Sequence, residues 1–494
     1  MNLYALPWLE LSVLIPLAGA LWVGRVRDPN AASRFCLAFT GAALVCAIMV
    51  AAGYWTGAIP SATFGAPWLS KGEPWDLGPR IFGRPVLGVD ELSALLIPLL
   101  ALLHFLVALA TARTKMARFS FAWLLIGESI RLASFSCLDP WVMIGLLAVV
   151  TIPPYFELVR RGRPTRVYVL HMVLFVVLLM FGWSAVDGNI PVPKHLAAFS
   201  LFAAILIRSG TIPFHVWVTD LFECGAFGSA LLYVSPVAGV YTAVRLVLPV
   251  APDWVLQWLG LVSLVTAVYT AGMALVQRDA RRFFAYLFLS HASLILVGLE
   301  LAGAENKDAQ VIGLTGGLAL WVAVALSLSG LGLTLRALEA RLGRLSLTEY
   351  KGLYEQSPAL AVCFLLTGLA SVGFPGTLGY VASELLVDGA VGANQFAGVV
   401  VVLTATINGI GVVRAYLLLF TGGRYATAVS LGITGRERFA VLTLAALIIG
   451  GGLIPQPLVM SRHAAAEAIL ADRAARATPG GPQGHTEANT GHRE

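Results

Sequence analysis

The chain has 494 residues, 58% of them hydrophobic and only 12% charged, with a mean hydropathy of +0.81. Soluble domains carry about 25% charged residues, so this composition excludes an ordinary soluble enzyme and predicts an all-α polytopic membrane protein. The net charge of +6 comes from small basic clusters between apolar runs, which excludes a nucleic-acid-binding face.

Runs long enough to cross a bilayer fall at about 5–24, 33–55, 87–111, 119–137, 139–158, 167–186, 195–217, 227–250, 254–276, 283–303, 309–335, 357–390, 393–421 and 437–460, which predicts about 14 transmembrane helices. The first run lacks a basic stretch before it and is followed by Arg25 and Arg27, so it reads as a first transmembrane helix and not a cleaved signal. With the N-terminus outside, the inner loops collect Arg25, Arg27 and Arg34, then Arg113, Lys115 and Arg118, then Arg160, Arg161, Arg163 and Arg166. Further on they collect Arg278, Arg281 and Arg282, then Arg336, Arg341, Arg344 and Lys351, then Arg424, Arg436 and Arg438. Outer loops hold only scattered Lys71, Arg80, Arg84, Lys194 and Lys307, and one inner loop, near Asp220 and Glu223, has no basic residue. The positive-inside rule then predicts a multi-pass protein of a cell inner membrane with both termini on the outer side.

Two runs carry interruptions. Arg208 lies in the apolar run Ala197–Thr211, just before Pro213, and Gly373-Phe374-Pro375-Gly376 breaks the run 357–390. An intramembrane ion costs about 2.5–3.5 kcal/mol on insertion scales, so it marks a protein-lined path. Paired broken helices point to an inverted-repeat transporter. The expected organisation is an N-terminal three-helix region (1–118), a first repeat (119–253), a second repeat (254–421), a final transmembrane helix (422–460) and a tail (461–494), each repeat holding five helices with breaks in helices 7 and 12. In the tail, Arg462–Ala477 reads as a mildly amphipathic surface helix, and 478–494, with His485 and His492, has the composition of disorder. The five cysteines show no metal-ligand spacing, and no dinucleotide loop or haem motif is present, so no cofactor, metal site or catalytic residue is expected.

Several stretches together resemble the antiporter-like membrane subunits of respiratory complex I (NADH:quinone oxidoreductase) and of Mrp-type cation/proton antiporters. Gly88-Val89-Asp90-Glu91-Leu92-Ser93 resembles the opening of that family's third helix, and Ile212-Pro213-Phe214-His215-Val216-Trp217 its PFHxW motif. Gly239-Val240-Tyr241 with Arg245 is similar to the end of helix 8, and Ala274–Arg282 followed by Ala285-Tyr286 and Ser290-His291 to the AxxQxDxKRxxAYSSxSH signature. Gly373–Tyr380 resembles the GLPGTSGF break of helix 12, and the matches run in order from about residue 86 to 390. The size is closer to the two shorter antiporter-like subunits than to the one with a long lateral helix.

The resemblance implies proton passage through a Glu on helix 5, Lys residues on helices 7, 8 and 11, and a Lys or Glu on helix 12. Here those positions fall at Ala148, Arg208, near Val237, near Val322, and one residue before Glu384, so the chain is a divergent member. Arg stays protonated, so Arg208 fixes a potential but relays no proton. The ion-path candidates are Arg208, His215, His291, Glu384 and Glu128, the last able to pair with Arg131 at i,i+3. Glu157 is expected at the inner edge with its arginines, and His104 and His171 in core or interface. Three roles follow: an ion-translocating subunit of a redox complex, a scaffold or coupling subunit without its own channel, and a membrane partner in inorganic-carbon uptake. All three imply other membrane subunits and the lipid bilayer as partners.

Overall fold

The structure, a computed structural model, describes residues 6–62, 85–116, 119–234, 237–423 and 432–477. Lys71, Arg80, Arg84, Arg118, Arg424 and the tail beyond 477 therefore lie outside the described residues. The helices in order are α1 (Trp8–Val23), α2 (Pro29–Trp55), α3 (Ser93–Leu109), α4 (Phe121–Ser136), α5 (Pro140–Val149), α6 (Ile152–Arg160), α7 (Arg166–Val186), α8 (Lys194–Ser209), α9 (Val216–Cys224), α10 (Phe227–Val234), α11 (Ala238–Thr242), α12 (Asp253–Val276), α13 (Ala280–Glu300), α14 (Lys307–Leu342), α15 (Pro358–Ser371), α16 (Leu378–Ala393), α17 (Gln395–Phe420), α18 (Gly435–Leu453) and α19 (Gln456–Ala477). A π-helical turn, Ala243–Val247, continues α11. Among the described residues there are no strands, only the bridges Leu87–Cys137 and Asp279–Ser346.

Polar punctuation sets where the apolar runs become helices. Asp28 accepts hydrogen bonds from the Asn30 and Ala31 amides, with Pro29 in the first helical position. Asp139, Asp279 and Asn306 cap α5, α13 and α14 in the same way, and Thr434 with Glu437 forms a capping box on α18. By length and composition eight helical segments among the described residues can each cross a bilayer, or nine if α18 and α19 count as one bent span. The window buried inside the bundle is 89% for both α13 and α14 but 28% for α7 and 33% for α17, so α13 and α14 form the core and α7 and α17 face outward. At 36 residues α14 is about 54 Å long, well beyond a hydrocarbon core of about 30 Å.

Loops that the sequence assigns to one side meet one another. At one end Arg281 pairs with Glu339 at 2.8 Å, Arg282 with Glu223 at 2.6 Å, Arg344 with Asp279 at 3.4 Å and Arg341 with Glu437 at 2.6 Å. Glu157 accepts from the Ala226 amide at 2.6 Å and pairs with Arg161 at 3.2 Å. Glu223, in the loop that carries no basic residue of its own, thus pairs with Arg282 from a neighbouring loop. At the opposite end Trp141 donates to Asp187, and Arg473 pairs with Asp253.

Several boundaries differ from the sequence reading. The run 139–158 is interrupted between α5 and α6, and α14 runs on to Leu342, so Arg336 and Arg341, expected in a loop, lie within it. The run 227–250 is interrupted as well: α10 ends at Val234, and α11 starts after Val237, which sits in the left-handed region at φ 47°. The last apolar run stops at Leu453 and not at residue 460, because Pro455 cannot continue the helical hydrogen bonding, and the chain turns by 79° into α19. That helix begins at Gln456 and packs on the chain itself, with Arg462 completely buried.

Candidate functional site

The two expected breaks are formed by glycine and proline. α8 ends at Gly210 in a left-handed conformation (φ 69°), the Ile212–Pro213 bond is cis, and α9 resumes at Val216. α15 ends at Ser371, Gly373 and Gly376 both take φ 83°, and α16 resumes at Leu378. Each break exposes unsatisfied backbone groups at half-helix ends, which is where buried polar side chains gather.

At the first break Arg208 is 4% exposed. Its guanidinium lies 4.5 Å from the Tyr233 ring centroid and 5.5 Å from that of Trp217, whose indole N–H donates to the Ile207 carbonyl across the break. Arg131 reaches the same Tyr233 ring at 5.8 Å, and its Nη1 donates to His104 Nε2 at 2.8 Å. Arg is only a donor, so His104 accepts through Nε2 and carries its proton on Nδ1, which donates to the Leu100 carbonyl at 2.8 Å. Glu128 is fully buried, and neither carboxylate oxygen has a hydrogen-bond partner among the described residues. The expected Glu128–Arg131 ion pair is therefore replaced by Arg131–His104, because the arginine is turned toward α3 and Tyr233. Two desolvated cation–π contacts at roughly 2 kcal/mol each, and a place in the last turn of α8, offset much of the charge cost of Arg208. They do nothing for its N–H donors: Nε has no partner among the described residues.

His215 lies half-buried in the first break, its ring 5.9 Å from Tyr269 and 6.1 Å from Tyr286, with Nδ1 unpartnered among the described residues. His291 belongs to the second break and is 1% exposed. Its Nδ1 stands 2.8 Å from the Leu287 carbonyl and its Nε2 2.8 Å from the Ser371 carbonyl, the end of α15. Two carbonyls facing two ring nitrogens satisfy both N–H groups of an imidazolium, whereas a neutral ring keeps only one of these bonds. Beside it Asn408 donates to Ser290, and Ser290 donates to the Ala267 carbonyl. Glu384, in contrast, is exposed on the surface of α16, so the structure does not bring it to His291. Ala148 is half-exposed, and Val237 and Val322 are buried among apolar neighbours.

Two motifs that lie far apart in the sequence meet in the fold. Asp90 and Arg245, 7% and 8% exposed, form a bidentate ion pair, with Nη2 to Oδ1 at 2.8 Å. Ser93 donates to Asp90 Oδ1 from both backbone and side chain, and Arg245 Nε donates to the Tyr241 hydroxyl at 3.2 Å. Opposite charges in two apolar settings were the available signal. Arg462 was also missed; it donates to the Leu92 and Glu91 carbonyls at 3.1 and 2.9 Å, beside the same pair.

An all-helical membrane bundle with interrupted helices and buried charge at the breaks is the architecture of ion-translocating membrane subunits and transporters. The family described as "NADH:quinone oxidoreductase/Mrp antiporter, TM" matches residues 188–408. NADH-quinone oxidoreductase subunit M of Rickettsia prowazekii (strain Madrid E) is 23% identical over 414 residues, which span 78% of this chain and 83% of that relative. NADH-quinone oxidoreductase subunit 13 of Thermus thermophilus is 28% identical over 415 residues, 77% of this chain and 84% of the relative. Among solved structures, a chain of respiratory complex I from Thermus thermophilus with bound NADH has a TM-score of 0.78 at 22% identity, covering 94% of this chain and 99% of that one. A chain of the Mrp complex from Dietzia sp. DQ12-45-1b has a TM-score of 0.78 at 18% identity, covering 95% and 100%. Over most of its length the chain is therefore similar to the antiporter-like membrane subunits of NADH:quinone oxidoreductase and of Mrp antiporters.

Proposed function

We propose that the chain is a membrane subunit of a proton-translocating, NADH:quinone oxidoreductase-like complex and contributes to proton or cation translocation driven by redox chemistry in partner subunits. On this reading the helices group into fourteen crossings, with helices 4–8 and 9–13 as inverted repeats and both termini on the outer side of a cell inner membrane. The grouping takes α5 with α6, α8 with α9, α10 with α11, and α15 with α16 as single interrupted crossings, and it keeps the domain limits 1–118, 119–253, 254–421, 422–460 and 461–494.

The observation that carries ion passage is His291 between the Leu287 and Ser371 carbonyls. Loss of its proton gives up one of those bonds, so protonation is coupled to the end of a half-helix. His215 serves the path at the first break, Glu128 supplies a buried acid, and Glu384 serves at the face toward a neighbouring subunit. Arg208 contributes a fixed potential. A scaffold role is the second reading, favoured by the apolar side chains at Ala148, Val237 and Val322.

The test is proton flux by the assembled complex in proteoliposomes. His291→Gln, which keeps one donor, is expected to cut flux at least about tenfold, the scale of a lost proton-transfer group, while quinone reduction persists. Flux equal to wild type would leave the scaffold reading. Glu384→Gln is expected to lower flux as well, and an unchanged value removes Glu384 from the path.

A further inference from the structure

We propose that the first break holds a binding site for a small monovalent anion of the chloride class, with Arg208 as its contact and Arg131 as a second positive charge. Both guanidiniums lie within 6 Å of the Tyr233 ring, at 4.5 and 5.8 Å from its centroid. Their side chains come from α8 and α4, so the chain folds two cations onto one aromatic ring. Both residues are more than nine-tenths buried, at 4% and 8% exposure, and among the described residues neither forms an ion pair with a carboxylate.

The groups around them do not supply the missing acceptor. His104 from α3 is neutral and already takes its bond from Arg131. The Tyr168 hydroxyl from α7 donates to the Thr151 carbonyl, and the Tyr233 hydroxyl from α10 donates to Met172 Sδ. Trp217 from α9 offers only its ring face and spends its N–H on Ile207. Glu128, three residues before Arg131 on α4, is the acid nearest in the chain, and both its oxygens lack a hydrogen bond among the described residues. Arg208 Nε is likewise without a partner there.

Arg208 Nε, a buried donor that no side chain of the described bundle satisfies, next to the second positive charge of Arg131, fits a weakly hydrated monovalent anion. Glu128, the acid three residues before Arg131, hydrogen-bonds to neither guanidinium. Bound there, the anion offsets one of the two positive charges and sets the potential at the break. The inference is independent of whether the chain conducts protons.

The test uses the purified full-length chain in detergent, titrated with sodium bromide against sodium gluconate at constant ionic strength. Bromide is expected to raise the unfolding midpoint saturably, and gluconate is not. Arg208→Gln is expected to abolish the bromide response, and Arg208→Lys, which retains the charge should the Gln variant fail to fold, to weaken it. Glu128→Gln removes the competing negative charge and is expected to lower the half-saturating bromide concentration at least about threefold, a change of about 0.65 kcal/mol by the affinity relation. Crystals grown in bromide are expected to show anomalous density within about 3.5 Å of the Arg208 guanidinium, the reach of a charge-assisted contact. Equal effects of bromide and gluconate, a wild-type response in Arg208→Gln, or water alone at that position would overturn the proposal.

Discussion

Asp90 and Arg245 neutralise each other inside the bundle through paired hydrogen bonds, whereas Arg208 meets two aromatic faces and Glu128 meets no donor among the described residues. These differences predict different mutational costs. Removing one member of a buried ion pair leaves an uncompensated charge and costs about 3–5 kcal/mol, while replacing both with apolar groups of similar size is often nearly neutral. Asp90→Ala is therefore expected to lose most of that amount in detergent unfolding, and Asp90→Leu/Arg245→Met to recover much of it. Strictly additive losses in the double variant would show that the pair is not the stabilising unit. Arg208 and Asp90 were both visible in the sequence, but their partners were not. A linear reading finds the cost of a buried charge and cannot see which of the many surrounding helices supplies the answer. Glu128 and Arg131 illustrate this: i,i+3 spacing allows a pair, but His104 on another helix takes the guanidinium.

The interrupted elements depend on a few glycines. At Gly210 the backbone is left-handed, and an added Cβ would stand 2.8 Å from Leu289 Cδ2 and 2.9 Å from Val218 Cγ2. Gly210→Ala therefore combines the wrong φ with a clash against α9 and α13 and is expected to cost about 1–3 kcal/mol. Gly145, inside α5 with nothing within 4 Å of an added methyl, is the matched control, where Ala is expected to be neutral or up to about 1 kcal/mol stabilising. Melting temperatures of the two variants in one detergent decide it, and equal shifts would remove the special conformation at 210 from the account. Both of these breaks were legible because Gly and Pro flag them within long apolar runs. The one before Ala238 carried Pro236 in its sequence as the same flag. It was absorbed into a run of otherwise continuous hydrophobicity, since hydropathy measures depth in the membrane and not helical continuity.

On the scale of the whole molecule, α19 ties together parts of the chain that are distant in sequence. Arg462 holds the carbonyls of Glu91 and Leu92 beside the Asp90–Arg245 pair. Arg473, three turns further on, holds the Leu248 and Ala251 carbonyls at 2.6 and 2.7 Å and pairs with Asp253 at 2.6 Å. The Leu248 and Ala251 carbonyls follow the π-helical turn that contains Arg245, so Arg473 acts as a side-chain cap there, whereas Arg462 ties α19 to the start of α3. The composition of Arg462–Ala477 suggests only a polar surface helix, because a guanidinium that caps carbonyls across a bundle looks the same in sequence as one facing water. Arg462→Ala/Arg473→Ala removes both attachments and leaves the rest of α19 to detach by local unfolding. Trypsin cleavage after Arg476 is then expected to accelerate at least about tenfold, matching a loss of roughly 1.4 kcal/mol or more in closing free energy, while the transmembrane core resists digestion. Cleavage at the wild-type rate would mean that α19 is held by its packing on α14 and not by the two arginines.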